Sequence, residues 1–433
     1  MTLAAPRPQA ARDDRLPTIS GHHAALDGLR AVAALLVLLF HVAASTGYLS
    51  RQGALPALLS RGEIGVPIFF TLSGLLLYRP WAAAALGLRP APGTGGYLWK
   101  RALRLLPAYW ALVIVTMVMY AEDHLTDFWT WLTLGTLTYS YDPHPWWNNY
   151  LGPNGMGQIW SLTVEAAFYV ALPLLALLLR LWAERAGADV GARARRLLYG
   201  LGGYSLVSLV YALAVSYTSN EGFYGNWLPR YLAWFAIGMA LAVLSVWAHA
   251  EAEHDQASGE YGQGQSSERP VGRFCRTVAA SWGMCWVTAA LLYCVASTPL
   301  TGVSRFIPAN AWTTELHIVL YGLVAAFLIA PVALAPADHP AIRRVLGNRV
   351  MAFLGKISYS VFLWQFVVIY VWFDLTDHPP FTGNLLVDFP VCALLTIGVS
   401  TLSYHLVESP ARRLGSGRRP SVHREPVGDG VAG

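Results

Sequence analysis

An arginine and a histidine eleven positions apart, Arg30 and His41, stand inside the stretch Leu26-Asp-Gly-Leu-Arg-Ala-Val-Ala-Ala-Leu-Leu-Val-Leu-Leu-Phe-His41, which is otherwise apolar enough to cross a membrane. At ~1.5 Å rise and ~3.6 residues per turn, that spacing is about three turns, so both side chains share one helix face roughly 16 Å apart. Placing Arg, Lys or Asp at such depth costs roughly 2.5–3.5 kcal/mol on insertion scales, so an ionisable group there calls for a use and a partner. A neutral imidazole can take a proton from a hydroxyl, and a guanidinium can hold phosphate.

A second intramembrane charge lies in Trp160-Ser-Leu-Thr-Val-Glu165-Ala-Ala-Phe-Tyr169, where Ser161, Glu165, Phe168 and Tyr169 share one helical face. Glu165 is about 7.5 Å along the axis from Trp160. With Trp160 at the outer interface, Glu165 and His41 are expected in one cavity in the outer-middle of the bilayer, a pairing suited to base catalysis. The plainer alternatives are an imidazole hydrogen-bonded between helices and a carboxylate that is only its structural partner, with Tyr169 as packing. Lys100, Arg101 and Arg104 crowd the start of another apolar stretch just before Pro107. They fit a positive-inside anchor, or, with Arg30 at the same end, a cluster that recognises phosphate. Arg30 also has a local use as an i, i+3 partner of Asp27. The small residues of Gly65-Val-Pro-Ile-Phe-Phe-Thr-Leu-Ser-Gly74 point to close helix packing. Glu408 beside the basic end reads as a counter-ion.

The elements that position these groups follow from composition. The chain of 433 residues is 55% hydrophobic and 13% charged, about half the charge of an ordinary soluble domain. An all-α polytopic membrane protein is expected, with about ten transmembrane helices near 26–45, 64–86, 103–120, 160–182, 197–216, 230–248, 278–296, 314–335, 352–373 and 386–406. Basic segments fall on alternate loops, which places both termini in the cytoplasm and the mildly acidic loops outside. The first span is expected to stay as an anchor rather than act as a signal peptide. The division expected is a cytoplasmic tail over 1–25, a membrane domain over 26–413 and a disordered tail over 414–433. Within the membrane domain, the Gly/Ser-rich loop 248–277 is expected to be disordered. The outer loop 121–159, rich in Trp, Tyr and Pro, suits the interface and could roof a cavity. The net charge of +5 comes from inner loops and needs no nucleic-acid partner. Cys275, Cys285, Cys294 and Cys392 have no paired spacing, so neither a disulfide framework nor a metal site is expected.

Taken in order, these segments resemble the acyltransferase-3 family of bacterial membrane O-acyltransferases, which modify cell-surface polysaccharides and some antibiotics. The resemblance rests on Leu-Asp-Gly-Leu-Arg30 with His41, Gly65-Val-Pro-Ile-Phe-Phe-Thr-Leu-Ser-Gly74, Arg101-Ala-Leu-Arg104-Leu-Leu-Pro107, Trp160-Ser-Leu-Thr-Val-Glu165-Ala-Ala-Phe-Tyr169, Ile357-Ser-Tyr-Ser360 and Glu408-Ser-Pro410. It implies an acyl-CoA donor, by default acetyl-CoA, entering from the cytoplasm, no permanently bound cofactor, and an acyl group delivered to a hydroxyl acceptor, with Arg30 and His41 as the family's arginine–histidine motif. Many relatives carry a histidine where this chain has Gln365. Some also carry a further C-terminal hydrolase-like domain, for which these residues have no counterpart.

The reading expected is therefore an O-acyltransferase of a bacterial inner membrane. His41 and Glu165 are its catalytic candidates, and Arg30, Arg101 and Arg104 hold the CoA phosphates. The acceptor would be a polysaccharide, a glycolipid or a secreted small molecule such as a macrolide. The rival from another class is a proton-coupled transporter or flippase in which His41 and Glu165 form the relay. A non-catalytic scaffold gives buried charges no use. Acceptor identity, acyl length, oligomeric state and the choice between general base and acyl-histidine stay open at this stage.

Overall fold

In hydrocarbon every backbone N–H and C=O must find its partner inside the chain, which leaves long apolar segments the choice of helix or closed barrel. The apolar stretches here lack the alternation of barrel strands and form helices. The computed structural model describes residues 23–147, 149–257, 270–302, 310–379 and 381–415, together with Leu16, Pro17 and Ile19. The long helices are α1 (Ala24–Ser45), α2 (Gly65–Ala85), α3 (Thr94–Tyr120), α4 (Ile159–Glu184), α5 (Val190–Ser216), α6 (Leu228–Ala257), α7 (Pro270–Ala280), α8 (Trp282–Ala296), α9 (Ala311–Ala333), α10 (Arg349–Leu375) and α11 (Leu385–Ser403). Among the described residues nine helices are long and apolar enough to cross a membrane, or up to ten if the pair α7 and α8 counts as one span. Side-chain caps set several starts. Asp189 accepts from Gly191 and Ala192 ahead of α5, Asn348 from Met351 ahead of α10, and Asn310 forms a reciprocal capping box with Thr313 ahead of α9.

The centre of the bundle is built on α1, α2, α6 and α10. Helix α1 packs between α10 and α2, and α2 lies along α6, which is backed by α5 and α9. The α2–α6 contact is backbone-close. A Cβ on Gly74 would strike the Phe235 carbonyl, and one on Gly238 would strike the Thr71 carbonyl. Small residues at such crossings are the membrane solution to packing, because lipid offers no hydrophobic drive for helices to associate. Thr71 Oγ1 donates to the Trp234 carbonyl at 3.0 Å at the same crossing. Helices α5 and α11 lie at the periphery and turn Leu206, Val207, Val210, Leu394 and Leu402 outward. Gly238→Leu is expected to force α2 off α6 and to destabilise the fold by roughly 1–3 kcal/mol. A lower melting midpoint in detergent, with early aggregation on size exclusion, is the readout.

The structure differs from the sequence expectation in two places. The segment expected as one span at 278–296 is the end of α7 and the whole of α8, two helices bent by 68° around Ser281; α7 carries Arg273 and Arg276, and α8 carries no charged residue. The stretch expected as a disordered loop at 248–277 is mostly helical: α6 runs on to Ala257 and α7 begins at Pro270, while 258–269 lie outside the described residues. Of the expected C-terminal tail, 416–433 lie outside the described residues, and a short helix, Ser409–Gly415, precedes it. Residues 1–15 of the expected N-terminal tail also lie outside them.

The aromatic loop after α3 is ordered by its own side chains. Asp127 caps the helix Phe128–Gly135 through Trp129 N, and its carboxylate also accepts from Thr130 Oγ1 at 2.6 Å. That hydroxyl bond holds the Asp127 carboxyl below the usual carboxylate range. Trp146 stacks on His124 with ring centroids 3.7 Å apart and donates its Nε1 to Thr130 Oγ1 at 2.9 Å.

Candidate active site

Helices α1, α2, α3, α4 and α10 converge on a cavity of about 240 Å³ lined by Arg30, Arg101, Arg104, Ser73, Ser161, Glu165, Tyr169, Ser358 and Tyr359, with Phe69, Phe70 and Phe362 among its apolar walls. Glu165 Oε1 accepts from Ser73 Oγ at 2.6 Å and from Tyr169 Oη at 2.6 Å. The carboxylate is thus pinned from its own helix and from α2. Arg30 Nη1 lies 3.5 Å from Asp27 Oδ1. Arg101 Nε is buried and has no hydrogen-bond partner, and a buried donor left unsatisfied in the apo protein marks a place where an acceptor belongs. Three guanidinium groups against one carboxylate give this chamber an excess of positive charge of the kind that suits an anion.

A second cavity, about 760 Å³, opens at the other end of α1. His41 lies in its wall beside Phe366, with ring centroids 4.3 Å apart. The amide of Gln365, fully buried on α10, fixes the imidazole. Its Nε2 donates to the Phe362 carbonyl at 2.9 Å, so its Oε1 is the atom turned to His41 Nδ1 at 3.1 Å. An amide oxygen only accepts, so Nδ1 carries the ring proton and Nε2 keeps its lone pair. A neutral histidine with one nitrogen held and the other open to a cavity is a general base in the making.

The structure brings Arg30, Arg101, Arg104 and Glu165 together and sets His41 apart from them. The expected His41–Glu165 cavity is not what the fold builds: Glu165 opens on the smaller chamber and His41 on the larger. Trp160 does line the larger chamber, but the ~7.5 Å from it to Glu165 carries the carboxylate past the partition into the smaller one. Val66, at the start of α2, lines both cavities and is the one residue their walls share. Sequence reading missed Ser73 as the partner of Glu165, because it sits in a segment whose small residues spoke for packing. It also left Gln365 without a role, since its contact with His41 spans 324 residues. The expected counter-ion Glu408 is buried, accepting from Ser360 Oγ and, at 2.7 Å, from Arg412 Nη2.

A family model described as an acyltransferase domain matches residues 23–405. A peptidoglycan O-acetyltransferase of Listeria monocytogenes is 23% identical over 411 residues, covering 90% of this chain and 56% of its own. A Bacillus subtilis protein provisionally named a peptidoglycan O-acetyltransferase is 26% identical over 431 residues, covering 92% of this chain and 57% of its own. A Staphylococcus aureus protein provisionally named an O-acetyltransferase is 24% identical over 417 residues, with 90% and 57% covered. The chain therefore spans a little over half the length of these relatives. No solved structure matches it.

Proposed function

The chain belongs to the acyltransferase-domain family, and from that premise we propose that it transfers an acyl group, by default acetyl, from acyl-CoA to a hydroxyl of an acceptor bound at the opposite side of a membrane. The observation that carries this reading is the pair of cavities meeting at Val66, one lined by three guanidinium groups and the other by a histidine with a free Nε2. The arginine end is taken to face the cytoplasm, where the basic loops are expected. Arg30, Arg101 and Arg104 would hold the donor phosphates, with the pantetheine arm threaded past Val66. The ~16 Å from Arg30 to His41 along α1 suits that reach.

At the partition the thioester carbonyl would meet the acceptor hydroxyl. His41 Nε2 takes the hydroxyl proton as the oxygen attacks the carbonyl carbon. The tetrahedral intermediate collapses with cleavage of the C–S bond, and the departing thiolate takes the proton back from the imidazolium. Gln365 serves throughout by holding Nδ1–H, which steadies the ring and stabilises its charged form. Glu165, placed with the arginines, orients them and Tyr169 rather than the imidazole. The hydroxyl-bearing acceptor is read as a glycan or a secreted small molecule, in keeping with the names of the relatives, and the site of action as the inner membrane of a bacterium.

The test of the donor half is acetyl-CoA binding to purified protein in lipid. Loss of one charge-assisted contact to phosphate is worth roughly 1.5–3 kcal/mol, so Arg101→Ala is expected to raise Kd by roughly tenfold to a hundredfold. Lys100 is exposed and outside the cavity wall, and Lys100→Ala should leave Kd nearly unchanged. Equal binding by wild type, Arg101→Ala and Arg104→Ala would remove the smaller cavity from the reading.

A further inference from the structure

The larger cavity has a second polar group on its wall that the reaction above does not use. Glu63 lies in the turn Gly62–Ile64 that leads into α2, and His317 and Tyr321 face it from α9. All three line the cavity that holds His41. Tyr321 Oη donates to Glu63 Oε1 at 3.0 Å. Arg61, only 2% exposed, sits behind them, its Nη2 donating to Thr301 Oγ1 at 2.9 Å and its Nη1 lying 3.0 Å from His317 Nε2.

That last contact decides how the cluster behaves. A guanidinium has no acceptor, so His317 Nε2 must accept from Arg61, and the proton of the neutral ring is on Nδ1. The 4.0 Å between His317 Nε2 and Glu63 Oε1 is too long for a hydrogen bond and has no proton to share, so it is no ion pair. Glu63 Oε2 makes no hydrogen bond among the described residues, and the Glu63 side chain keeps 32% of its surface exposed. The wall thus presents a carboxylate oxygen to accept and an imidazole N–H to donate. An unbroken set of ring faces adjoins them: Trp160 and Tyr231 have centroids 5.3 Å apart, and Tyr231 and Trp234 5.1 Å. Arg230, on the same wall, is paired with Glu221 at 3.3 Å.

Resting on the reading of this cavity as the acceptor chamber, we propose that Glu63 and His317 anchor the acceptor through a second hydroxyl, distinct from the one that is acylated. That hydroxyl donates to Glu63 Oε2 and accepts from His317 Nδ1, and the aromatic faces take the apolar side of the ring that bears it. Attachment at two points, the anchor here and the reacting hydroxyl at His41, selects which hydroxyl of a rigid polyol is acylated. Arg61 is a positioning residue, since it fixes the tautomer of His317 without reaching the cavity ligand.

The test is ligand binding without acyl-CoA, so it stands apart from whether acyl transfer occurs. Wild type and Glu63→Gln in lipid nanodiscs are titrated with methyl β-D-glucoside and with 2-methoxytetrahydropyran, which keeps the ring and lacks the hydroxyls, and read by saturation-transfer NMR. Saturable binding of the glucoside by wild type is expected, weakened by roughly tenfold in Glu63→Gln, with no binding of the analogue. Absence of glucoside binding, equal binding by Glu63→Gln, or equal binding of the analogue would each overturn the proposal. If Glu63→Gln fails to fold, the comparison of the two ligands on wild type decides alone.

Discussion

Replacing His41 by alanine is expected to lower kcat for acyl transfer by about 10²–10⁴-fold, the usual worth of a positioned general base, or ~2.7–5.4 kcal/mol of barrier. The side chain stands in a cavity wall, with Gln365 as its only side-chain hydrogen-bond partner among the described residues, so its removal leaves the helix contacts of α1 intact. Donor binding should survive, because the three arginines lie in the other chamber. The measurement is CoA release from acetyl-CoA by wild type and His41→Ala protein in lipid, with a panel of sugar and macrolide acceptors. Acceptor-dependent release that His41→Ala retains in full would end the proposal of a histidine base. Proton-coupled flux of a panel member without any acylated product would instead favour a transporter.

Val66→Trp should abolish transfer by a different route. Val66 is buried, on the first turn of α2, and is the residue common to the walls of both cavities. An indole there would fill the place where the two cavities share a wall, and on the proposed reading it would block the thioester from reaching His41. A fall in turnover on the order of 100-fold or more is expected, ~2.7 kcal/mol or above. Donor affinity should change little. Overpacking costs roughly 1–3 kcal/mol of stability, so Val66→Ala serves as the companion: it widens the passage and should keep turnover near that of wild type. Turnover by a folded Val66→Trp protein would show that the thioester reaches the histidine some other way.

Much of the fold was legible because lipid leaves an apolar chain so few options. Nine of the expected spans appear as long helices, and Arg30, Arg101 and Arg104 meet because all three lie in the N-terminal halves of α1 and α3. The rest depended on relations that no local pattern carries. The bend at Ser281 joins α7, which carries Arg273 and Arg276, to the uncharged α8, and composition alone does not set the angle between them. Glu165 and His41 were matched by depth along two helices, and a shift of little more than one turn was enough to part them. Glu63 carries no signal in the sequence, since its meaning comes from Tyr321, 258 residues away. Gln365 reads as an empty position until the Phe362 carbonyl is seen to orient its amide.

The partition at Val66 also has a consequence for the order of events. On the proposed reading donor and acceptor occupy separate chambers that share Val66, so neither must leave before the other arrives. Initial-rate lines at varied donor and acceptor concentrations should then intersect rather than run parallel, and free CoA should compete with acetyl-CoA while leaving acceptor affinity almost untouched. A protein with one shared chamber would have to take turns; on the proposed reading this one holds both substrates at once, each on its own side of Val66.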